Sequence, residues 1–202
     1  MPFFVGSLPR YQALVIFTLR MLARQANVTF STLSNLRSLE RKLGMYDIIK
    51  RYERERIILV DEGPVLLAHN IFVFTSALYT SEEIARFAAL IPLPDVIVYV
   101  RAPLDSLIKR SLQRTDRRRE LESLNSAQLE ECIKRAVTMF ELLVKAEKIR
   151  GRVLIVENPE SADRGCDPAI DYIAESIFSI CMGEPRSAPS LCAPLGGCGR
   201  PW

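Results

Sequence analysis

The feature that most constrains this chain is a set of three short apolar runs, none of which alternates. They are Arg56-Ile-Ile-Leu-Val-Asp61, Asp95-Val-Ile-Val-Tyr-Val-Arg101 and Arg152-Val-Leu-Ile-Val-Glu157. A strand with one wet face alternates apolar and polar side chains, whereas a strand covered on both faces reads as continuous β-branched sequence. Helical patterns separate the three runs, which calls for crossover connections and parallel pairing. The expected fold class is therefore α/β, a three-layer α/β/α arrangement around a parallel sheet. At 202 residues the chain suits one such domain with some terminal excess.

The helices carry start and stop signals. Thr80 and Glu83 form a capping box ahead of Ile84, Phe87, Ala88 and Ile91, and Pro92 and Pro94 end that helix. Pro103 suits the first position of a helix whose apolar face is Leu104, Leu107, Ile108 and Leu112. Asn125 caps a longer helix with Leu129, Ile133, Ala136, Val137, Phe140, Leu143 and Val144 inward. Asp167 and Pro168 open a last helix with Ile170, Ile173, Ala174, Ile177, Phe178 and Cys181 on one face, stopped by Gly183. Ahead of the first run lie an apolar helix from about Tyr11 to Arg24 and a charged one from about Asn35 to Glu55, which Gly44 can break. Val65 to Tyr79 is apolar nearly all round and reads as a buried helix.

A single α/β domain is expected over 1–182. From 183 to 202 Gly, Pro, Ser and Cys dominate without periodicity, so a disordered tail is expected there. The five cysteines, Cys132, Cys166, Cys181, Cys192 and Cys198, have no metal-ligand spacing and imply no disulfide framework, and the latter makes a reducing cytoplasm the expected location. Ala13 to Leu19 is too short to span a bilayer, so no membrane association is expected. The net charge of +3 gives no argument for nucleic acid. Its bases are unevenly chosen, however: 21 Arg against 6 Lys. The guanidinium fork holds phosphate oxygens bidentately, although Arg-rich codon usage accounts for the bias equally well.

Two constellations could carry chemistry. Asp61 and Glu62 end the first apolar run, ahead of Gly63-Pro64. Acids at the carboxyl end of a parallel strand can order the water shell of magnesium or accept a hydroxyl proton. The bland alternative is a solvated turn. The second constellation is basic: Arg101 ends the next run, Arg110 and Arg114 share a helix face, and Arg117, Arg118 and Arg119 follow where that helix should end. Such a group can close over transferring phosphates, or it can be a solvated helix end that suits the dipole. His69, the only histidine, sits in an apolar stretch and is better read as a packed side chain. Tyr46, Tyr52, Phe72, Phe74 and Tyr79 include candidates for base stacking, with core packing the commoner role.

In order and spacing, Asp61-Glu62-Gly63, then Pro94 to Pro103 with its Val-Tyr-Val-Arg-Ala-Pro ending, then Arg110 and Arg114, then Arg152 to Glu157, resemble the P-loop kinases of the thymidylate-kinase and nucleoside-kinase type. The resemblance covers about Arg56 to Ile180. It implies ATP and magnesium as cofactors and a nucleotide or small phosphorylated molecule as partner. Asp61 and Glu62 match the acidic strand end, with Asp61 serving magnesium directly or through water. Arg110 and Arg114 match the lid, and Arg117 to Arg119 extend it. Arg101 belongs with the phosphate-binding residues.

One departure stands against it. The family opens with a strand and the loop G-x-x-x-x-G-K-[ST], whose backbone amides and lysine hold the phosphates. No Gly-Lys dipeptide occurs in this chain, and no lysine precedes Lys42. Phe3-Phe4-Val5 is the one candidate for a remnant of the opening strand. The expectation is thus a relative incomplete at its N-terminus, lacking the first strand and loop. ATP binding is then doubtful and phosphoryl transfer inactive in this form. The alternative is a non-catalytic α/β binding or regulatory protein that offers an arginine-rich face to a phosphorylated or acidic partner.

Overall fold

A computed structural model describes residues 2–24, 30–52, 56–74, 78–114, 121, 124–158 and 168–181. Two long helices come first, α1 (Pro2–Ala23) and α2 (Phe30–Tyr52). α1 buries Tyr11, Leu14, Phe17, Met21 and Leu22, which recur at the three- and four-residue spacing of one helix face. It begins well before Tyr11, so Phe3-Phe4-Val5 is helical and not a strand remnant. Helix bonds close within the segment itself, whereas a strand needs a neighbour to pair with. α2 runs unbroken through Gly44, where an added Cβ would meet nothing within 4 Å. A single interior glycine only weakens a helix, and packing of Leu39 and Leu43 outweighs that loss.

After Gly63 the expected single helix is replaced by a 3-10 turn at Pro64–Leu66 and a π-helical turn at His69–Val73. Burial is as expected there: Leu67, Ala68, Ile71, Phe72 and Val73 are all enclosed. α3 (Ser81–Leu90) follows, with the Thr80–Glu83 capping box formed in both directions and Ile84, Phe87 and Ala88 buried. Thr80 and Glu83 satisfy one orphan backbone N–H each, so the helix start needs no tertiary partner.

β1 (Ile97–Arg101) and β2 (Val153–Glu157) pair in parallel, with Ile97 opposite Val153 and Arg101 opposite Glu157. Between them run α4 (Leu104–Gln113), α5 (Ser126–Lys145) and the short α6 (Glu147–Arg150). Pro103 is the cap of α4 and not its first residue, and Asn125 caps α5 through a reciprocal bond with Gln128. α7 (Pro168–Cys181) comes after β2. Asp167, Gly183 and the whole of 183–202 lie outside the described residues.

The run Arg56 to Asp61 forms no strand, which corrects the expectation of three. Among the described residues the sheet has two strands only, and Ile57, Ile58, Leu59 and Val60 are exposed. Composition makes a segment competent for pairing, but a strand exists only through hydrogen bonds to a neighbour. Among the described residues no strand lies beside this run. Phe178, expected inward on α7, is 62% exposed for a related reason. The neighbour of α7 is β2, and two strands make too narrow a floor for the whole apolar face of a helix.

The protein is therefore mostly helical with a small parallel pair, a loose α/β arrangement. Its core sits among the helices: Phe17, Phe72 and Phe87 meet at ring-centroid distances of 5.6–6.3 Å, with Leu14, Leu43, Ile84, Met139 and Leu143 around them. The sheet borders this core through Ile97 and Val153. Tyr99 faces Phe140 of α5, while Val98 and Val100, on the opposite face of the pleat, are exposed.

Candidate functional site

Parallel pairing places the carboxyl ends of β1 and β2 together. Arg101 closes β1 and is engaged on all sides. Its Nε and Nη2 donate to the two oxygens of Glu141 at 2.9 and 3.0 Å, and its Nη1 donates to Glu157 Oε1 at 3.0 Å. Its carbonyl accepts from the Asn158 N–H at 2.7 Å. The bidentate bond to Glu141, then Glu157, raises its pKa further and keeps it charged. The guanidinium thus joins β1, β2 and α5, and a phosphate would have to compete with two carboxylates for it.

The acidic pair has a different fate. Asp61 lies exposed in a turn. Glu62 is tied to Lys42 of α2, whose Nζ donates to the Glu62 carbonyl at 3.0 Å and to its Oε2 at 3.1 Å. Lys42 is only 2% exposed. A buried ammonium needs a compensating acceptor, so this bond fixes where the turn sits on α2. Lys42 was legible only indirectly, as a charge three residues beyond Leu39 on the stripe that buries Leu39 and Leu43. The expectation that Asp61, Glu62 and Arg101 all end strands at one edge holds for Arg101 alone, because the first two end no strand.

Among the described residues no group of three His, Cys, Asp or Glu side chains could hold a metal. Asp61 by itself offers magnesium a single carboxylate. That ion keeps most of its water and is ordinarily held by one or two carboxylates together with substrate phosphates, so these residues fit it only in company with a phosphate ligand.

Arg110 is exposed in the last turn of α4, and Arg114 caps the helix with its N–H donating to the Arg110 carbonyl at 3.2 Å. They stand four residues apart at the C-terminal end of the helix. Arg117, Arg118 and Arg119 lie outside the described residues. Beside α4, an open cleft of about 450 Å³ runs between Asp105, Lys109 and Leu112 on one side and Glu130 of α5 on the other.

A second cleft, of about 470 Å³, was not foreseen. Arg10, Lys50 and Arg51 line it, facing one carboxylate, Asp47. Asp47 Oδ1 accepts from the Tyr11 hydroxyl at 2.5 Å and from Arg10 at 3.4 Å. Tyr46, one of the aromatic candidates, lines the cleft with its hydroxyl donating to the Leu93 carbonyl at 2.9 Å. The only sequence signal was the arginine bias itself. His69 packs edge-on against Phe74 and parallel to Phe140, at 4.5 and 6.2 Å, which suits the packing role expected of it.

Three tyrosines hold their protons more tightly than an exposed phenol. Burial is the first cause for Tyr11, Tyr79 and Tyr99, reinforced by Asp47 at Tyr11 and by Glu141 at Tyr99, and opposed by Arg135 at Tyr79. A raised native pKa contributes stability that is fully present below the unfolded value of about 10 and is lost as pH rises through the native one. Alkaline titration is thus expected to show these phenols ionising together with loss of helical circular dichroism. Ionisation of all three with the helical signal intact would contradict it.

No protein-family model, no curated protein and no solved structure matches this chain. No helix among the described residues is long and apolar enough to cross a membrane.

Proposed function

We propose that the chain is a kinase-like α/β unit of the nucleoside- or nucleotide-kinase type which, as this 202-residue polypeptide, does not itself transfer phosphoryl groups. The observation that carries this reading is the chain order around the parallel pair: β1, then a helix ending in Arg110 and Arg114, then α5 and α6, then β2. That is the order expected of the lid-bearing part of such a kinase, and a three-layer arrangement with ATP and magnesium as ligands belongs to the same reading. Against turnover stands the lack of any Gly-Lys dipeptide. Exposed lid arginines without a cradle of fixed backbone amides give a triphosphate little to hold it.

A second reading is favoured by a specific observation. Two of the residues matched to the chemistry, Arg101 and Glu62, are taken up in ion pairs, with Glu141 and Glu157 and with Lys42. On that reading the scaffold binds a phosphorylated or acidic partner through its basic groups and catalyses nothing. Titration calorimetry separates both from a working kinase. With ATP and magnesium, binding weaker than about 1 mM is expected, a free energy smaller than about 4 kcal/mol. Low-micromolar affinity would overturn both readings.

A further inference from the structure

Charge is divided unevenly along the chain. Residues 1–52, which hold α1 and α2, carry eight Arg and Lys against two Asp and Glu, whereas residues 53–202 carry 19 against 22. α1 contains no acid at all. The two acids, Glu40 and Asp47, belong to α2 and are half-buried, and Asp47 is taken up by the Tyr11 hydroxyl and Arg10. So lopsided a distribution makes the N-terminal helix pair the side that an extended anion would approach.

On α2 the exposed side chains form one stripe. Arg37, Arg41, Met45, Ile48 and Tyr52 follow at steps of three or four residues, on the face opposite the buried Leu39 and Leu43. The stripe is about 22 Å long. α2 packs on α1 and on the turn at Pro64–Leu66, and Ile48 stays 40% and Tyr52 63% exposed. α1 exposes Ile16, Leu19 and Arg20 in the same mixture. Arg20, Arg37, Arg41 and Arg51 are exposed and, among the described residues, make no hydrogen bond or ion pair. Arg24 and Arg101 differ from them, being held by Glu83 and by Glu141 with Glu157.

We propose that the outward stripe of α2 docks on an anionic phospholipid surface. Charge selects a polyanion, and the apolar members of the stripe select among polyanions. A nucleic-acid backbone would take the arginines and leave Met45 and Ile48 in water. A lipid interface uses both kinds of side chain: aliphatic groups enter the boundary of the acyl region, and the long arginine arms reach back to the phosphates. No acid fixes these four guanidinium groups in one geometry, which suits head groups that rearrange under them more than a partner protein that needs a preset fork. A contact of this kind lies in the plane of the interface and needs no spanning segment, so the shortness of Ala13 to Leu19 does not bear on it. It goes beyond the kinase-like reading and holds or fails independently of it.

The test is flotation of the full chain with two sets of vesicles, one of phosphatidylcholine alone and one with about a third of phosphatidylserine. Binding to the anionic set alone is expected, with a steep loss when NaCl rises from about 0.05 to 0.5 M. The double variant Arg37→Gln, Arg41→Gln should weaken it by about tenfold or more. Ile48→Asp should do the same by placing a carboxylate where an apolar group enters the interface. Arg86→Gln with Arg150→Gln removes the same charge from exposed sites elsewhere and should leave binding within a few-fold. All five positions are exposed, so circular dichroism should not change, and the salt arm needs no variant at all. No binding to either set, equal binding to both, equal loss in the Arg86 and Arg150 control, or indifference to Ile48→Asp would each overturn the proposal. So would capture of a duplex oligonucleotide at lower concentration than the anionic vesicles, which would assign the face to nucleic acid, or an acidic peptide that displaces the chain from them at equimolar amounts, which would assign it to a protein.

Discussion

Phe72→Ala is expected to lower the melting temperature by about 6–20 °C. Phe72 is fully buried and meets Phe17, Tyr79 and Phe87 edge-on at 5.6–6.3 Å, so three elements lose contact with one ring. Truncating a buried phenylalanine costs about 3–5 kcal/mol, as lost transfer energy plus the cavity left behind. For a chain of this size each kcal/mol shifts the midpoint by about 2–4 °C. Against a total stability of about 5–15 kcal/mol, that loss can remove much of the folded population. Phe178→Ala is the control. Both phenylalanines sit in apolar helical patterns, yet Phe178 is mostly exposed and its truncation should stay within about 0.5 kcal/mol. Differential scanning calorimetry of the two variants measures the contrast, and equal shifts would place the core elsewhere.

A large kinetic effect is expected if the chain is joined to a strand and phosphate loop that restore turnover. In that chimera, Arg110→Ala and Arg114→Ala should each lower kcat by about 10³, with ATP affinity within a few-fold of the parent. The reason is differential. Guanidinium groups on a lid act on charge that develops in the transition state, and interactions made only there change rate and leave ground-state binding alone. Both residues are exposed at the end of α4, where a helix-dipole role would contribute about 0.3–1 kcal/mol to stability and nothing to rate. Steady-state kinetics with melting temperatures alongside separates the two. Turnover within a few-fold of the parent would make them a solvated helix end.

Signals that are complete within a few residues were readable from the chain. The capping box at Thr80–Glu83 and the cap at Asn125 form as their residue types require, because the groups they satisfy lie within one turn. The parallel sense of β1 and β2 was readable too, since helices between two apolar runs leave little choice of connection. The candidate site was less legible. The identity of Arg101 says that it can hold a phosphate, but not that Glu141, forty residues away, already holds it.

By itself the sequence determined most of the helical segments, where the capped ones start, and that two apolar runs pair side by side in one direction. Each of these rests on local periodicity, a cap, or the handedness of a crossover. Only the tertiary structure decided that Ile57–Val60 is not a strand, that Lys42 is buried against Glu62, that Phe72 is core while Phe178 is not, and that Arg101 is bound to acids. Each of those depends on what lies opposite in space. A β-branched run without a neighbour has the composition of a strand and no hydrogen bonds to make it one.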